Sequence, residues 1–189
     1  MPREIEIQVK IENIQPLLGI LKNKGKLKYQ TRQVDKYYTP ADRDFTVVRP
    51  IAEWLRLRDA EGEHSINYKN WHFSADGRSE YCDEHETPVE NIEAMREIFQ
   101  ALKFRKLVAV DKTRQAWQYQ DWEVAIDKIK NLGDFVEIEY KGNNNPEPKE
   151  ETDKMIDFLK QLDGGKIERN YRGYPFQLLF PDEVKWEVM

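Results

Sequence analysis

The stretch Glu4-Ile5-Glu6-Ile7-Gln8-Val9-Lys10-Ile11 alternates without a break. Successive strand side chains point to opposite faces, so the run predicts a strand with Ile5, Ile7, Val9 and Ile11 on one face. Glu4, Glu6, Gln8 and Lys10 share the other. The apolar face asks for a covering helix. The charged face asks for a partner of another kind, and the pattern recurs. Glu84 with Glu86 and Glu137 with Glu139 are further Glu-x-Glu pairs on predicted strands. Two other strands carry the reverse charge, Arg56 with Arg58 and Lys112 with Arg114. Like charges stacked on neighbouring strands repel. A metal ion that neutralises the acids and a polyanion that neutralises the bases would account for the arrangement, and phosphate chemistry is the leading expectation.

Outward from this stretch, periodicity lays out the remaining elements. Asn13 predicts the cap of a helix whose stripe is Ile14, Leu17, Leu18 and Leu21 and whose stop is Gly25. Strands are expected at Asp35–Thr39, Trp54–Arg58 and Ser65–Asn70, with a charged, proline-bearing loop reaching to Pro50. The order then repeats. A strand over Glu80–Glu86 leads to a helix capped by Asn91, with Ile92, Met95, Ile98, Phe99 and Leu102 as its apolar stripe. Strands follow at Leu107–Arg114, Ala116–Tyr119, Trp122–Asp127 and Phe135–Tyr140. A helix over about 148–162 ends at Gly164 and Gly165, and a last strand is expected over Gln177–Phe180.

Many antiparallel strands with a few covering helices make an α+β protein, read here as one domain over residues 1–189. If the sheet curls into a barrel, its charged faces line the interior, a costly arrangement unless ligands fill it. Charged residues are 34% of the chain and hydrophobic ones 39%, with a formal net charge of -5. That balance argues against nucleic-acid binding, which favours a basic surplus, so any basic site is local. The lone Cys82 forms no internal disulfide, and no Cys/His cluster has zinc-ligand spacing. No apolar run is long enough to span a bilayer, and the strand pattern begins too early for a signal peptide. A cytoplasmic protein without membrane partners is the expectation.

The residues also carry a resemblance. Glu4-Ile-Glu6-Ile-Gln8-Val-Lys10 resembles the N-terminal Glu-x-Glu-x-Lys signature of the CYTH superfamily, which includes class IV adenylyl cyclases, thiamine triphosphatases and inorganic triphosphatases. Asp35-Lys-Tyr-Tyr38, Leu55-Arg-Leu-Arg58, Tyr68-Lys69, Glu84-His-Glu86, Lys112-Thr-Arg114, Asp127 and Leu132-Gly-Asp-Phe-Val-Glu-Ile-Glu139 are similar, in the same order, to its later motifs. The match runs from Glu4 to about Tyr174. It implies the triphosphate tunnel fold, an antiparallel β-barrel with charged residues along its bore. Two positions depart from the pattern. With Glu4 and Glu6 aligned, Gln8 stands at the signature lysine, whereas sliding the motif to Lys10 puts Gln8 at the second glutamate; the first register is adopted. Gln33 stands where a histidine is often found.

Site expectations follow from the residue chemistry and the resemblance together. Mg²⁺ or Mn²⁺ prefers oxygen ligands, which nominates Glu4, Glu6, Glu137 and Glu139, with Glu84 and Glu86 behind them. Lys10, Arg56, Arg58, Lys69, Lys112 and Arg114 would hold a triphosphate, and Asp127, Lys69 and Arg114 are the catalytic candidates. Plain salt bridging is the competing role for these groups, but exposed pairs contribute only about 0.2–1 kcal/mol each. Trp117, Tyr119 and Trp122 are read as packing residues, while Tyr171, Arg172 and Tyr174 are candidates for closing the bore. The expected substrate is ATP, thiamine triphosphate or tripolyphosphate. A class IV cyclase ranks first, a triphosphatase second, and a non-catalytic polyphosphate sensor third. The oligomeric state is open, a homodimer being one option.

Overall fold

In the computed structural model, which describes residues 3–189, the opening stretch is broken once, at Ile5. Arg3–Glu4 (β1) and Glu6–Ile11 (β2) flank that break, and Gln15–Lys24 (α1) leads into the long strand Lys26–Thr39 (β3). Three more strands follow: Glu53–Ala60 (β4), Glu63–Phe73 (β5) and Ser79–Pro88 (β6). After Ile92–Ala101 (α2) come Arg105–Tyr119 (β7), Trp122–Ile129 (β8) and Gly133–Tyr140 (β9). The chain ends with Pro148–Lys160 (α3), Ile167–Arg169 (β10), Tyr174–Leu179 (α4) and Glu187–Val188 (β11).

All pairings among the described strands are antiparallel, in the order β1-β6-β5-β4-β3-β7-β8-β9-β2-β10-β11. Among the described residues no hydrogen-bonded ladder closes this sheet on itself. The two distant positions β1 and β2 are nonetheless consecutive in the chain. Glu4 pairs with Cys82 of β6, whereas Glu6 pairs with Glu139 of β9, and the Ile5 carbonyl accepts from the Tyr140 amide at 2.9 Å. The backbone itself therefore bridges β6 to β9, and the sheet wraps into a barrel. The expected α+β architecture with a charged interior is present.

Helices cover the outer face. Ile7 and Val9 of β2, Val136 and Ile138 of β9, and Val124 of β8 are almost fully buried against Leu17 and Leu21 of α1 and Met155 and Leu159 of α3. At roughly 25 cal/mol per Å² of apolar surface, each such side chain contributes about 1.5–3 kcal/mol. Trp117 and Trp122 belong to this core with Tyr119 packed against it, so the packing assignment holds, and Trp122 Nε1 donates to Glu151 at 2.7 Å. Asn91 caps α2 through Ala94, as expected, but Ile14 and not Asn13 occupies the cap position of α1; Asn13, one residue earlier, accepts from the Gln15 amide at 3.0 Å. Gly25 has no room for a side chain, since a Cβ there would lie 2.7 Å from the Leu21 carbonyl oxygen. The β4–β5 hairpin turns through Glu61 and Gly62, both at positive φ, as a two-residue loop demands.

Four further expectations need correction. Gln177–Phe180 is not a strand, because residues 174–179 form α4, started by Pro175 in its first turn. Leu107–Arg114 and Ala116–Tyr119 are one strand, continuous through Gln115, which pairs with Gln30 and Ile126. The strand expected at Asp35 begins at Lys26. In α2, Ile98 and Leu102 do not complete the buried stripe, being 48% and 63% exposed.

Candidate functional site

Strand parity decides what the barrel contains. On β4 the outward Leu57 joins Ile92 and Phe99 of α2, with Leu55 packed alongside, which leaves Trp54, Arg56 and Arg58 pointing inward. Register carries the alternation round the ring. Arg58 lies opposite Asp35, Arg56 opposite Asn67, Lys69 opposite Glu84, Arg114 opposite Asp127, and Gln8 opposite Glu137. The result is a bore with a cavity of about 190 Å³. Its acids come from the contiguous strands β6, β1, β2 and β9 as Glu84, Glu86, Glu4, Glu6, Glu137 and Glu139. Arg56, Arg58, Lys69, Lys112 and Arg114 come from β4, β5 and β7, facing them, while Lys141, just after β9, lines the bore on the acid side beside Glu139.

Three ion-pair networks hold the walls. Asp35, 1% exposed, accepts from Arg58 Nε at 2.7 Å and Nη2 at 2.8 Å, with Arg56 Nη1 at 3.5 Å. The Arg56 Nε is buried without a hydrogen-bond partner. Arg114 forks onto Asp127 at 2.7 and 2.5 Å and reaches Glu137 at 2.7 Å. Asp127 is fully buried and also accepts from the Tyr174 hydroxyl at 2.9 Å, so its carboxylate is enclosed between Arg114 and Tyr174. Lys69 Nζ sits among acids, 2.6 Å from Glu4 and 3.6 Å from both Glu6 and Glu84. Cys82, fully buried, points its Sγ at Glu4 from 2.9 Å.

Titration reflects how crowded the acid wall is. Burial disfavours the charged form of Glu4, but Lys69 and the Cys82 thiol outweigh it and bring its pKa to about 2. Burial, with Glu4, Glu137 and Glu139 beside it, raises Glu6 well above the ordinary carboxylate range. Burial and Glu4 raise Glu139 to about 7. Burial also opposes the charge on Glu137, yet Arg114 and Lys112 bring that carboxyl down. On the basic wall, burial and then Arg114 lower Lys112 to about 8.

The wall fits a hard divalent cation. Carboxylate oxygens of Glu4, Glu84 and Glu139 lie within 4.8 Å of one another, and the Lys69 ammonium already stands beside two of them as a substitute positive charge. Of the metal candidates, Glu4 and Glu139 fall in this trio and Glu6 borders it through Lys69, while Glu137 is engaged by Arg114. Glu84, named behind them from the sequence, is the third member of the trio. Lys10 keeps the expected strand face but lies beyond the cavity, its Nζ 4.9 and 4.7 Å from the ring centres of Phe135 and Trp186. Gln8 lines the bore, its Oε1 accepting from Gln177 Nε2 at 2.9 Å. Gln177 and Glu123, which also lines the bore, went unnoticed in the sequence. Glu123 follows inward parity from Asp127, two steps of two away, and was detectable. The α4 residues Tyr174 and Pro175 line the cavity as well.

These features define a charged-bore β-barrel. Residues 2–174 match the CYTH domain family, and the chain belongs to it. It is 34% identical over 164 residues to a Methanocaldococcus jannaschii protein named "putative adenylate cyclase", covering 86% of this chain and 91% of that one. A solved structure from Pyrococcus horikoshii superposes with a TM-score of 0.75 at 25% identity, covering 95% of this chain and 99% of that one. A Hippeastrum protein, described as a "putative adenylyl cyclase" with a dominant triphosphatase activity, superposes at 0.66 with 19% identity over 96% of this chain and all of its own, a likeness of fold alone. Among the described residues no helix is long and apolar enough to cross a membrane.

Proposed function

We propose that this protein is a Mg²⁺- or Mn²⁺-dependent enzyme that acts on a triphosphate held in the bore, and that its reaction is the cyclisation of ATP to cyclic AMP and pyrophosphate. The observation that carries the reading is the opposition of the walls. Arg56, Arg58, Lys69, Lys112 and Arg114 face a contiguous set of carboxylates across one small cavity. Arg58 and Arg114 are fixed as forks by Asp35 and Asp127, which aims their remaining N–H groups before a phosphate arrives. Lys69 keeps its proton because the acids around it outweigh burial, and it offers charge to a phosphate oxygen. Glu4, Glu84 and Glu139 would hold the divalent ion, which supplies charge neutralisation to the phosphate oxygens. In the cyclase reaction the ribose 3′-oxygen bonds to the α-phosphorus, the bond from that phosphorus to the bridging oxygen breaks, pyrophosphate departs and the hydroxyl proton is lost.

The name of the Methanocaldococcus relative favours cyclisation. Hydrolysis of the terminal phosphate is the second reading, favoured by the triphosphatase activity stated for the Hippeastrum neighbour. The deciding experiment incubates protein and Mg²⁺ or Mn²⁺ with ATP, thiamine triphosphate or tripolyphosphate and follows all products. Cyclic AMP with pyrophosphate supports the first reading, and orthophosphate from any of the three supports the second. Binding without product would leave a sensor and refute both.

A further inference from the structure

The five bases that face the acid wall do not have equivalent partners. Asp35 takes Arg58 and lies 3.5 Å from Arg56, while Asp127 takes Arg114 and lies 3.5 Å from Lys112. Both aspartates are almost fully buried, and neither belongs to the carboxylate trio. Lys69 differs. Its Nζ pairs with Glu4 at 2.6 Å and stands 3.6 Å from both Glu6 and Glu84. Two of these three acids are the groups read above as metal ligands, so the counter-charge of Lys69 and the ligand set of the metal are largely the same atoms.

The trio does not need Lys69 to keep its shape. Glu4 also accepts from the Cys82 thiol at 2.9 Å, Glu84 accepts from Asn67 Nδ2 at 2.5 Å, and Glu139 is paired with Lys141. An ion held by Glu4 and Glu84 would share their oxygens with the ammonium, and like charges repel strongly in a desolvated interior. Lysine carries a point charge on a flexible four-carbon stem, so it can give way without disturbing the backbone of β5. The place for it to go is adjacent, because Lys69 lines the cavity of about 190 Å³ together with Arg56 and Arg58.

We propose that Lys69 is a tethered counter-ion that occupies the cation site of the metal-free protein, and that a divalent ion displaces it toward the phosphates. Metal and phosphate binding then strengthen each other. The ion frees a positive charge for the phosphate, and the phosphate holds that charge away from the carboxylates, a coupling that is reciprocal. The proposal rests on the metal reading of Glu4, Glu84 and Glu139 and not on which reaction follows.

The test titrates Mn²⁺ alone into phosphate-free, full-length protein and reads the free ion by electron paramagnetic resonance. A mildly alkaline buffer keeps proton competition for the carboxylates small. Lys69→Met should bind the ion about ten-fold or more tightly than the parent, the worth of one charge-assisted contact no longer displaced. A lysine that only contacts substrate, or only supports the fold, would leave that affinity unchanged or lower it. Equal or weaker binding by Lys69→Met therefore overturns the proposal while leaving the metal reading in place, whereas binding by neither protein sinks both. Adding Glu139→Gln to Lys69→Met should remove the gain; a gain that survives puts the ion elsewhere and also overturns the proposal. If Lys69→Met does not fold, the parent decides. Saturating Mg²⁺ should abolish the nuclear Overhauser contacts between the Lys69 ε-methylene and the Glu4 side chain, and contacts that persist overturn the displacement.

Discussion

Asp35→Asn is the sharpest probe of the basic wall. The Asp35 carboxylate is matched in geometry to Arg58 and lies 3.5 Å from Arg56, so Asp35→Asn keeps the shape and deletes the charge. One amide N–H then faces a guanidinium. Removing one partner of a buried ion pair costs about 3–5 kcal/mol. In a chain of this size each kcal/mol shifts Tm by about 2–4 °C, so a fall of about 6–20 °C is expected. Ligand should act in the opposite direction. Tripolyphosphate supplies the missing negative charge to Arg56 and Arg58, and a ligand stabilises by binding the folded state alone. The ligand-induced rise in Tm is therefore larger in the variant than in the parent. The pH dependence has a definite sign. Burial opposes ionisation of Asp35, but Arg58 and Arg56 prevail and hold its pKa below the ordinary value. Its contribution is complete above about pH 4 and is lost as pH falls further, so parent and variant stabilities converge in acid. Thermal and urea unfolding with and without tripolyphosphate measure all three effects. A loss below about 1 kcal/mol, the value of an exposed pair, would refute the view that Asp35 neutralises a desolvated cationic wall.

Other perturbations separate the walls. Glu137→Gln with Glu139→Gln should abolish metal-dependent turnover while leaving the fold intact, because Val136 and Ile138 keep the outer packing; unchanged activity and metal titration would refute the role of β9. Gln8→Lys should tighten triphosphate binding several-fold at low salt, less so at high salt, since its side chain faces the bore next to Glu137; no change would show that the Gln177 contact holds position 8 away from the ligand. Lys112, at about 8 without ligand, should take up a proton when a triphosphate binds, so affinity falls as pH rises through that value. Calorimetry in buffers of different ionisation enthalpy at pH 8.5 should detect the uptake, and Lys112→Met should remove it.

The inward and outward faces were legible because outward residues pack on helices and must be apolar. Ile7 and Val9 against α1 and α3, and Leu55 and Leu57 against α2, fixed the parity of Glu4, Glu6, Arg56 and Arg58 without knowledge of their partners. The first half of β3 was hidden for the converse reason. Lys26, Lys28 and Arg32 face solvent, while Tyr29 and Gln33 line polar space at a mouth of the bore, so neither face carries an apolar alternation. The apolar residues of Tyr174–Leu179 suit a short strand, such as the one expected over Gln177–Phe180, as well as a helix, and Pro175 is the signal that decides for the helix. Tyr174, the residue in that segment that buttresses Asp127, was named only as a candidate for closing the bore.

Closure itself lies beyond what any single strand can reveal. A strand with alternating glutamates is equally compatible with a solvated sheet face, where the same carboxylates would titrate normally and need no ligand. What changes their chemistry is the switch of partner at Ile5, from Cys82 on one side to Glu139 on the other. That switch brings Glu84 of β6 and Glu139 of β9, which are far apart in strand order, to the same carboxylate of Glu4. Once the acids share a desolvated interior they cannot all ionise, and Glu6 and Glu139 retain protons to higher pH unless positive charge is supplied. The demand for a cation therefore arises from one backbone event acting on three separate sequence motifs. A change that restored a continuous β1–β2 pairing to either neighbour alone would remove that demand without altering a single charged residue.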